Sequence, residues 1–214
     1  MLLYYITDRK GLAGTDAQQR SRLLARIGEA ARAGVDYIQL REKDLAARDL
    51  ERLARDAVQM VRENFATAKL LVNGRADVAL ASGADGVHLP AGELDASEVR
   101  ALWMRASERA PVIAVSAHTI EEVRAAADQG ANFAVLAPIF EKAHTGVQGI
   151  GIGALRAAAE SAIEGFAILA LGGVTLANAR ACLAAGAGGV AGIRLFQNGD
   201  VVETVRRLRA LEHI

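Results

Sequence analysis

The 214-residue chain carries 25 Lys+Arg against 25 Asp+Glu, so its formal charge is zero, and its single cysteine, Cys182, excludes both a disulfide framework and a cysteine-built zinc cluster. Neutrality argues against a general nucleic-acid binder, and apolar residues at 52% exclude disorder. Charges interrupt every apolar run before the ~18 residues a membrane span requires, and the first segment has neither a basic start nor a cleavage site, so a cytoplasmic chain is expected.

In chain order, a strand near residues 3–7 precedes a helix near 17–33, and a strand at 37–41 precedes a helix at 46–64. Strands at 69–73, 86–89, 112–116 and 133–137 are followed by helices at 75–82, 95–109, 119–129 and 152–161. The last pairs are a strand at 167–172 with a helix at 175–185, and a strand at 189–193 with a helix at 200–211. Each strand is short and apolar on both faces, as expected where helices cover a parallel sheet, and each helix has an apolar stripe at helical spacing.

An internal repeat runs through this pattern. Gly34, Gly83, Gly130 and Gly186 each close an Ala-rich helix and open a buried strand, at intervals of 47–56 residues. Each is expected to be a left-handed helix cap. One βαβ needs about 30 residues, so each interval holds two strand–helix units. Eight such units predict a single-domain (β/α)8 barrel over residues 1–214, ahead of a doubly wound sheet, which needs no regular repeat.

In such a barrel the chemistry lies at the C-terminal ends of the strands. Gln39, Arg41 and Lys43 alternate by two and so share a face, which points to an anion site. The plainer reading is a rim cluster in which those cations pair with Asp8, Glu42 and Asp44. Gly172-Gly173 after strand 7 and Gly192-Ile193-Arg194 after strand 8 sit where barrels hold a phosphate on backbone N–H groups. Asn73 and Arg75 are candidates to hold a substrate; as plain structure, Asn73 caps the third helix and Arg75 is solvated. Ser116 and His118, two apart at a strand end, read as a polar wall rather than a hydrolase dyad. His88 reads as a satisfied core histidine, Cys182 as a small buried hydrophobe, and Trp103 and Met104 as core or interface filler.

Six motifs in register resemble the thiamine-phosphate synthase/TenI superfamily over essentially the whole chain. They are Tyr5-Ile6-Thr7-Asp8-Arg9, Gln39-Leu40-Arg41-Glu42-Lys43, the segment from Asn73 to Leu80, Gly83 to Leu89, Val115 to Thr119, and Gly172-Gly173-Val174 with Gly186 to Ile193. The synthases join a pyrimidine diphosphate to a thiazole phosphate and release pyrophosphate with Mg2+. By this resemblance Gln39, Arg41 and Lys43 face the pyrimidine and its diphosphate, helped by Asn73 and Ser116; His118 and Lys142 are further candidates for the catalytic and diphosphate-binding set. Gly173, Gly192 and Ile193, flanked by Gly172 and Arg194, bind the thiazole phosphate.

The chain departs from the synthase pattern in places. Gly74 stands where the synthases carry a Mg2+-binding Asp, and Glu93 aligns near a second metal-binding Asp. Pro90-Ala91 replaces Gly-Gln, and Glu141-Lys142-Ala143-His144-Thr145 replaces a Thr-x-Thr-Lys pattern. Asn73-Gly74-Arg75 and Pro90 are closer to the TenI branch, which isomerises a thiazole phosphate carboxylate, yet Pro138 occupies the place of that branch's catalytic His. A synthase is expected first. The alternatives are a tautomerase with His118, Glu141 or His144 as base, and a non-catalytic thiazole-phosphate binder. The family is commonly dimeric or larger, so a homo-oligomer is among the expectations, with no nucleic-acid or membrane partner.

Overall fold

The computed structural model describes residues 1–63, 67–141 and 146–213 (of His213, the backbone alone). The elements are β1 (Leu2–Ile6), α1 (Asp16–Ala33), β2 (Tyr37–Leu40), α2 (Ala47–Glu63), β3 (Lys69–Asn73), α3 (Ala76–Ser82), β4 (Gly86–Leu89), α4 (Ala96–Ala106) and β5 (Val112–Ala117). There follow α5 (Ile120–Asp128), β6 (Phe133–Leu136), α6 (Gly151–Ser161), β7 (Ala167–Ala170), α7 (Ala179–Ala184), β8 (Gly189–Gly192), α8 (Arg194–Gln197) and α9 (Val201–Arg209). Every strand runs parallel to the next, and β8 closes on β1, giving the expected barrel. All eight strands stand where the apolar runs predict them.

The helix boundaries follow from local chemistry. Thr15 starts α1 with a capping box, accepting from Gln18 N while Gln18 answers the Thr15 backbone N–H. The four repeat glycines have the left-handed φ expected of them, between 72° and 96°. Three departures from expectation occur. The α4 helix stops at Ala106 rather than 109, where Trp103 Nε1 donates to Arg109 O and Pro111 follows. Residues 175–178 form a turn, not helix, because Asn178 Oδ1 accepts from Thr175 N. The short α8 was not expected; it fills what reads in sequence as a loop between strand and final helix.

Two apolar layers hold the barrel. The larger packs the outward strand residues against the helices, with Leu3, Ile38, Leu70, Ile113 and Ile168 all at 1% exposure or less. The smaller plugs the barrel interior with Tyr4, Leu71, Ala114, Phe133, Leu169 and Ala191. Tyr4 meets Phe133 edge-on, with ring centroids 5.4 Å apart, a geometry worth about 0.5–1.5 kcal/mol beyond simple burial. Trp103 and Cys182 are core, as expected, and burial pushes the Cys182 thiol up to about 11. Met104 is not core: it is 46% exposed on the outer face of α4. Because side chains alternate along a strand, the residue two beyond each interior plug also faces inward. Tyr4 is thus followed by Ile6, Tyr37 by Gln39 and Arg41, Leu71 by Asn73, and Ala114 by Ser116 and His118.

Candidate active site

Those upper inward residues line a cavity of about 1050 Å³ at the C-terminal end of the strands. Gln39, Arg41, Lys43, Asn73, Ser116, His118, Gly172, Gly173, Gly192, Ile193 and Arg194 all border it. The structure therefore brings together every candidate diphosphate- and phosphate-binding residue except Lys142, which, like His144, lies outside the described residues. The volume is at the upper end of the ~300–1000 Å³ typical of small-molecule sites, enough for two small ligands.

The cations on the β2 side are unpaired. Glu42 and Asp44, which the rim-cluster reading assigns to Arg41 and Lys43, are instead held by Arg9. Its guanidinium grips Asp44 with two hydrogen bonds of 2.6 Å and reaches Glu42 at 3.1 Å. Arg9 and Glu42 are 3% and 4% exposed, and Thr7 Oγ1 completes the Glu42 shell at 2.7 Å. Asp44 is held well below the usual carboxylate range by the Arg9 guanidinium. Arg41, Lys43 and Arg194 make no ion pair among the described residues. Thr7 also fixes the base of Arg41, accepting from its backbone N–H at 3.0 Å. Cations on a cavity wall with no carboxylate partner among the described residues are placed to meet an anionic ligand.

The part of the cavity wall after β7 and β8 presents glycine backbone. Gly172 and Gly173 have φ of 93° and 65°, and a Cβ on Gly173 would stand 2.7 Å from Phe140 Cβ and 2.9 Å from Glu141 O. Only glycine fits this turn. Asn178 Nδ2 ties Gly173 O at 3.0 Å, and the N–H groups of Gly173 and Ile193 find no acceptor among the described residues. Nearby, α8 begins directly after Ile193, the short extra helix that barrels place beside a phosphate. Gln197 on α8 binds Tyr5 Oη, Asp8 N and Asp8 O, and so joins this loop to the one after β1. Asn178 and Gln197 escape sequence reading because they act through loop backbone, which leaves no periodic signal.

Beneath the cavity lies a buried polar chain. Tyr4 Oη stands 3.0 Å from both Gln39 Nε2 and His88 Nδ1, and His88 Nε2 is 2.8 Å from Ser116 Oγ. His88 is satisfied and buried, as expected, but it also borders the cavity. Ser116, His88 and Tyr4 have the connectivity of a nucleophile–base–orienter triad, yet the base is too weak: burial, reinforced by Arg41, lowers His88 to about 3. His118 stands apart from Ser116's partner. Its Nδ1 lies 2.7 Å from Ala137 O and donates there, and Nε2 has no partner among the described residues.

The other candidates divide. Asn73 borders the cavity and is no helix cap, since α3 starts after Arg75. Arg75 is spent on Asp77 through two bonds of 2.6 and 2.8 Å at the surface and does not border the cavity. Glu93 is exposed and does not border it either, but its Oε2 lies 3.7 Å from where a Cβ on Gly74 would be. No group of three or more His, Cys, Asp or Glu is placed to hold a metal among the described residues.

A family model for thiamine monophosphate synthase matches residues 3–196. The chain belongs to the thiamine monophosphate synthase family. A relative in Geobacter sulfurreducens is 41% identical over 210 residues, covering 98% of this chain and 93% of its own. A thiamine-phosphate synthase of Methanoculleus marisnigri is 38% identical over 213 residues, covering 97% and 93%. Among solved structures, a thiamine phosphate pyrophosphorylase from Pyrococcus furiosus superposes with a TM-score of 0.80 at 28% identity, covering 99% of this chain and 95% of that one. A 3-hexulose-6-phosphate synthase, at TM-score 0.72 and 20% identity, shares the fold. Members of this family are enzymes of thiamin biosynthesis. No helix among the described residues is long and apolar enough to cross a membrane.

Proposed function

We propose that this chain, acting as one unit over residues 1–214 in the cytoplasm, is a thiamine-phosphate synthase. It joins a pyrimidine diphosphate to a thiazole phosphate and releases pyrophosphate. The observation that carries this reading is one cavity with two anion-holding sides: unpaired Arg41 and Lys43 on one, the Gly173 and Ile193 N–H groups with Arg194 on the other.

Arg41 and Lys43 hold the diphosphate and neutralise the charge that grows as pyrophosphate leaves. Gly173, Gly192 and Ile193 anchor the thiazole phosphate through backbone, with Gly172 shaping the turn and Arg194 adding charge. Anchoring both ligands by their anionic ends leaves their rings side by side in the cavity, which turns a bimolecular encounter into a local one. Gln39, Asn73 and Ser116 orient the pyrimidine.

Mg2+ is commonly held by one or two carboxylates plus substrate phosphates rather than by an all-protein cage. The described residues offer at most that mode: Glu93, exposed beside Gly74 and outside the cavity lining, would supply one carboxylate, with diphosphate oxygens and water as the other ligands. Bound so, the metal would supply further neutralisation of the leaving pyrophosphate.

A second reading, proton transfer on a thiazole phosphate carboxylate, is favoured by one observation, the Nε2 of His118 at the cavity wall, without a partner among the described residues. The deciding assay offers both substrates with Mg2+ and follows pyrophosphate. Release above background upholds the synthase; isomerisation without release makes the chain a tautomerase, and thiazole phosphate binding with neither reaction makes it a binder.

A further inference from the structure

The buried chain under the cavity has a direction, and the direction reaches the ligand. Tyr4 is wholly buried and His88 is 3% exposed, so water does not settle their hydrogen bonds. Gln39 Nε2 donates to Tyr4 Oη at 3.0 Å, so the group facing the phenol there offers its proton no acceptor. The single phenolic proton then goes to the remaining neighbour, His88 Nδ1, also at 3.0 Å. A neutral imidazole that accepts at Nδ1 carries its proton on Nε2, and that N–H points to Ser116 Oγ at 2.8 Å. Each bond forces the next. Ser116 receives a hydrogen bond from the protein, and its own hydroxyl proton has no protein acceptor among the described residues.

We propose that Gln39, Tyr4 and His88 form a positioning relay that fixes Ser116 as a hydrogen-bond donor into the cavity. The ligand atom that takes this proton is a lone-pair acceptor, such as a ring nitrogen or a phosphoryl oxygen. Burial keeps His88 neutral, which removes the imidazolium form that would donate from both nitrogens and scramble the order. The same order explains why a tyrosine, with a hydroxyl to place, sits among the apolar plugs Leu71, Phe133 and Leu169. The inference deepens the synthase reading by naming what Ser116 recognises, and it rests on that reading only for the identity of the ligand.

Its test begins on the ligand-free protein. Nitrogen-15 spectra of the histidine rings at neutral pH report which ring nitrogen of His88 is protonated. The relay predicts a single Nε2–H tautomer. In Gln39→Glu the carboxylate only accepts, so Tyr4 donates to it and the His88 proton moves to Nδ1. Tyr4→Phe, which keeps the ring and its packing, removes the donor and leaves a mixture of tautomers. In turnover of the two substrates, Tyr4→Phe and Ser116→Ala each lower kcat/KM, and the double variant falls no further than Ser116→Ala alone. An Nδ1–H tautomer in the unmodified protein, or losses that multiply in the double variant, overturns the relay. Absent pyrophosphate release beside the predicted tautomers would overturn the synthase reading and leave the relay standing.

Discussion

Arg9, Arg41 and Lys43 lie near one another at the strand ends, yet they do opposite work. Arg9 is buried against Glu42 and Asp44, while Arg41 and Lys43 border the cavity with no ion pair among the described residues. Arg9→Met leaves a buried carboxylate without its partner, so a loss of about 3–5 kcal/mol of stability is expected in denaturant unfolding. Arg41→Met breaks no ion pair or side-chain hydrogen bond among the described residues. Its stability is expected to stay within about 0.5 kcal/mol of the unmodified chain, while kcat/KM for pyrophosphate release falls about 100-fold. A parallel loss of stability would place Arg41 in the scaffold. The neutral total of 25 cations and 25 anions therefore conceals a division that composition alone does not reveal. Glu93 belongs to the same scale. Glu93→Gln is expected to raise the Mg2+ concentration for half-maximal turnover about tenfold, and Gly74→Asp, facing it, to lower that concentration. A Mg2+ titration of the two variants checks both.

At the scale of elements, the loops after β7 and β8 carry what the strands present. Asn178→Ala frees the Gly173 carbonyl and the turn at Thr175, so the binding loop loses its fixed shape. Thiazole phosphate affinity is expected to fall about tenfold by calorimetry, with the barrel still folded. Elements with a repeating signal were legible in sequence. The eight strands follow from apolar runs between helix-ending glycines, and Gln39, Arg41 and Lys43 from a spacing of two. What was not legible has no period: the short α8, the turn that delays α7, and the clamps at Asn178 and Gln197. Pairing was also hidden, because the sequence neighbours of Arg41 and Lys43 are acids whose side chains turn to Arg9, brought beside them from the end of β1 by its parallel pairing with β2.

For the molecule as a whole, acid is the expected weakness. His88 titrates near 6.5 in an unfolded chain and near 3 in the barrel. Between those values the unfolded state binds the extra proton, so this contribution is fully present above about pH 7 and is lost as pH falls toward 3, at up to about 1.4 kcal/mol per pH unit. His88→Gln is expected to flatten that part of the stability curve in denaturant titrations from pH 7 to 4; an unchanged slope would mean that His88 protonates freely in the fold. The fold also sets the central claim, that one closed barrel holds two anions at two separate places in a single cavity. The direct measurement is a calorimetric titration of thiazole phosphate into protein already saturated with pyrophosphate and Mg2+. The two-sided cavity predicts that both bind together, that Arg41→Met weakens only pyrophosphate, and that Gly173→Ala weakens only thiazole phosphate. Mutual displacement of the two ligands, or one substitution abolishing both, would contradict it.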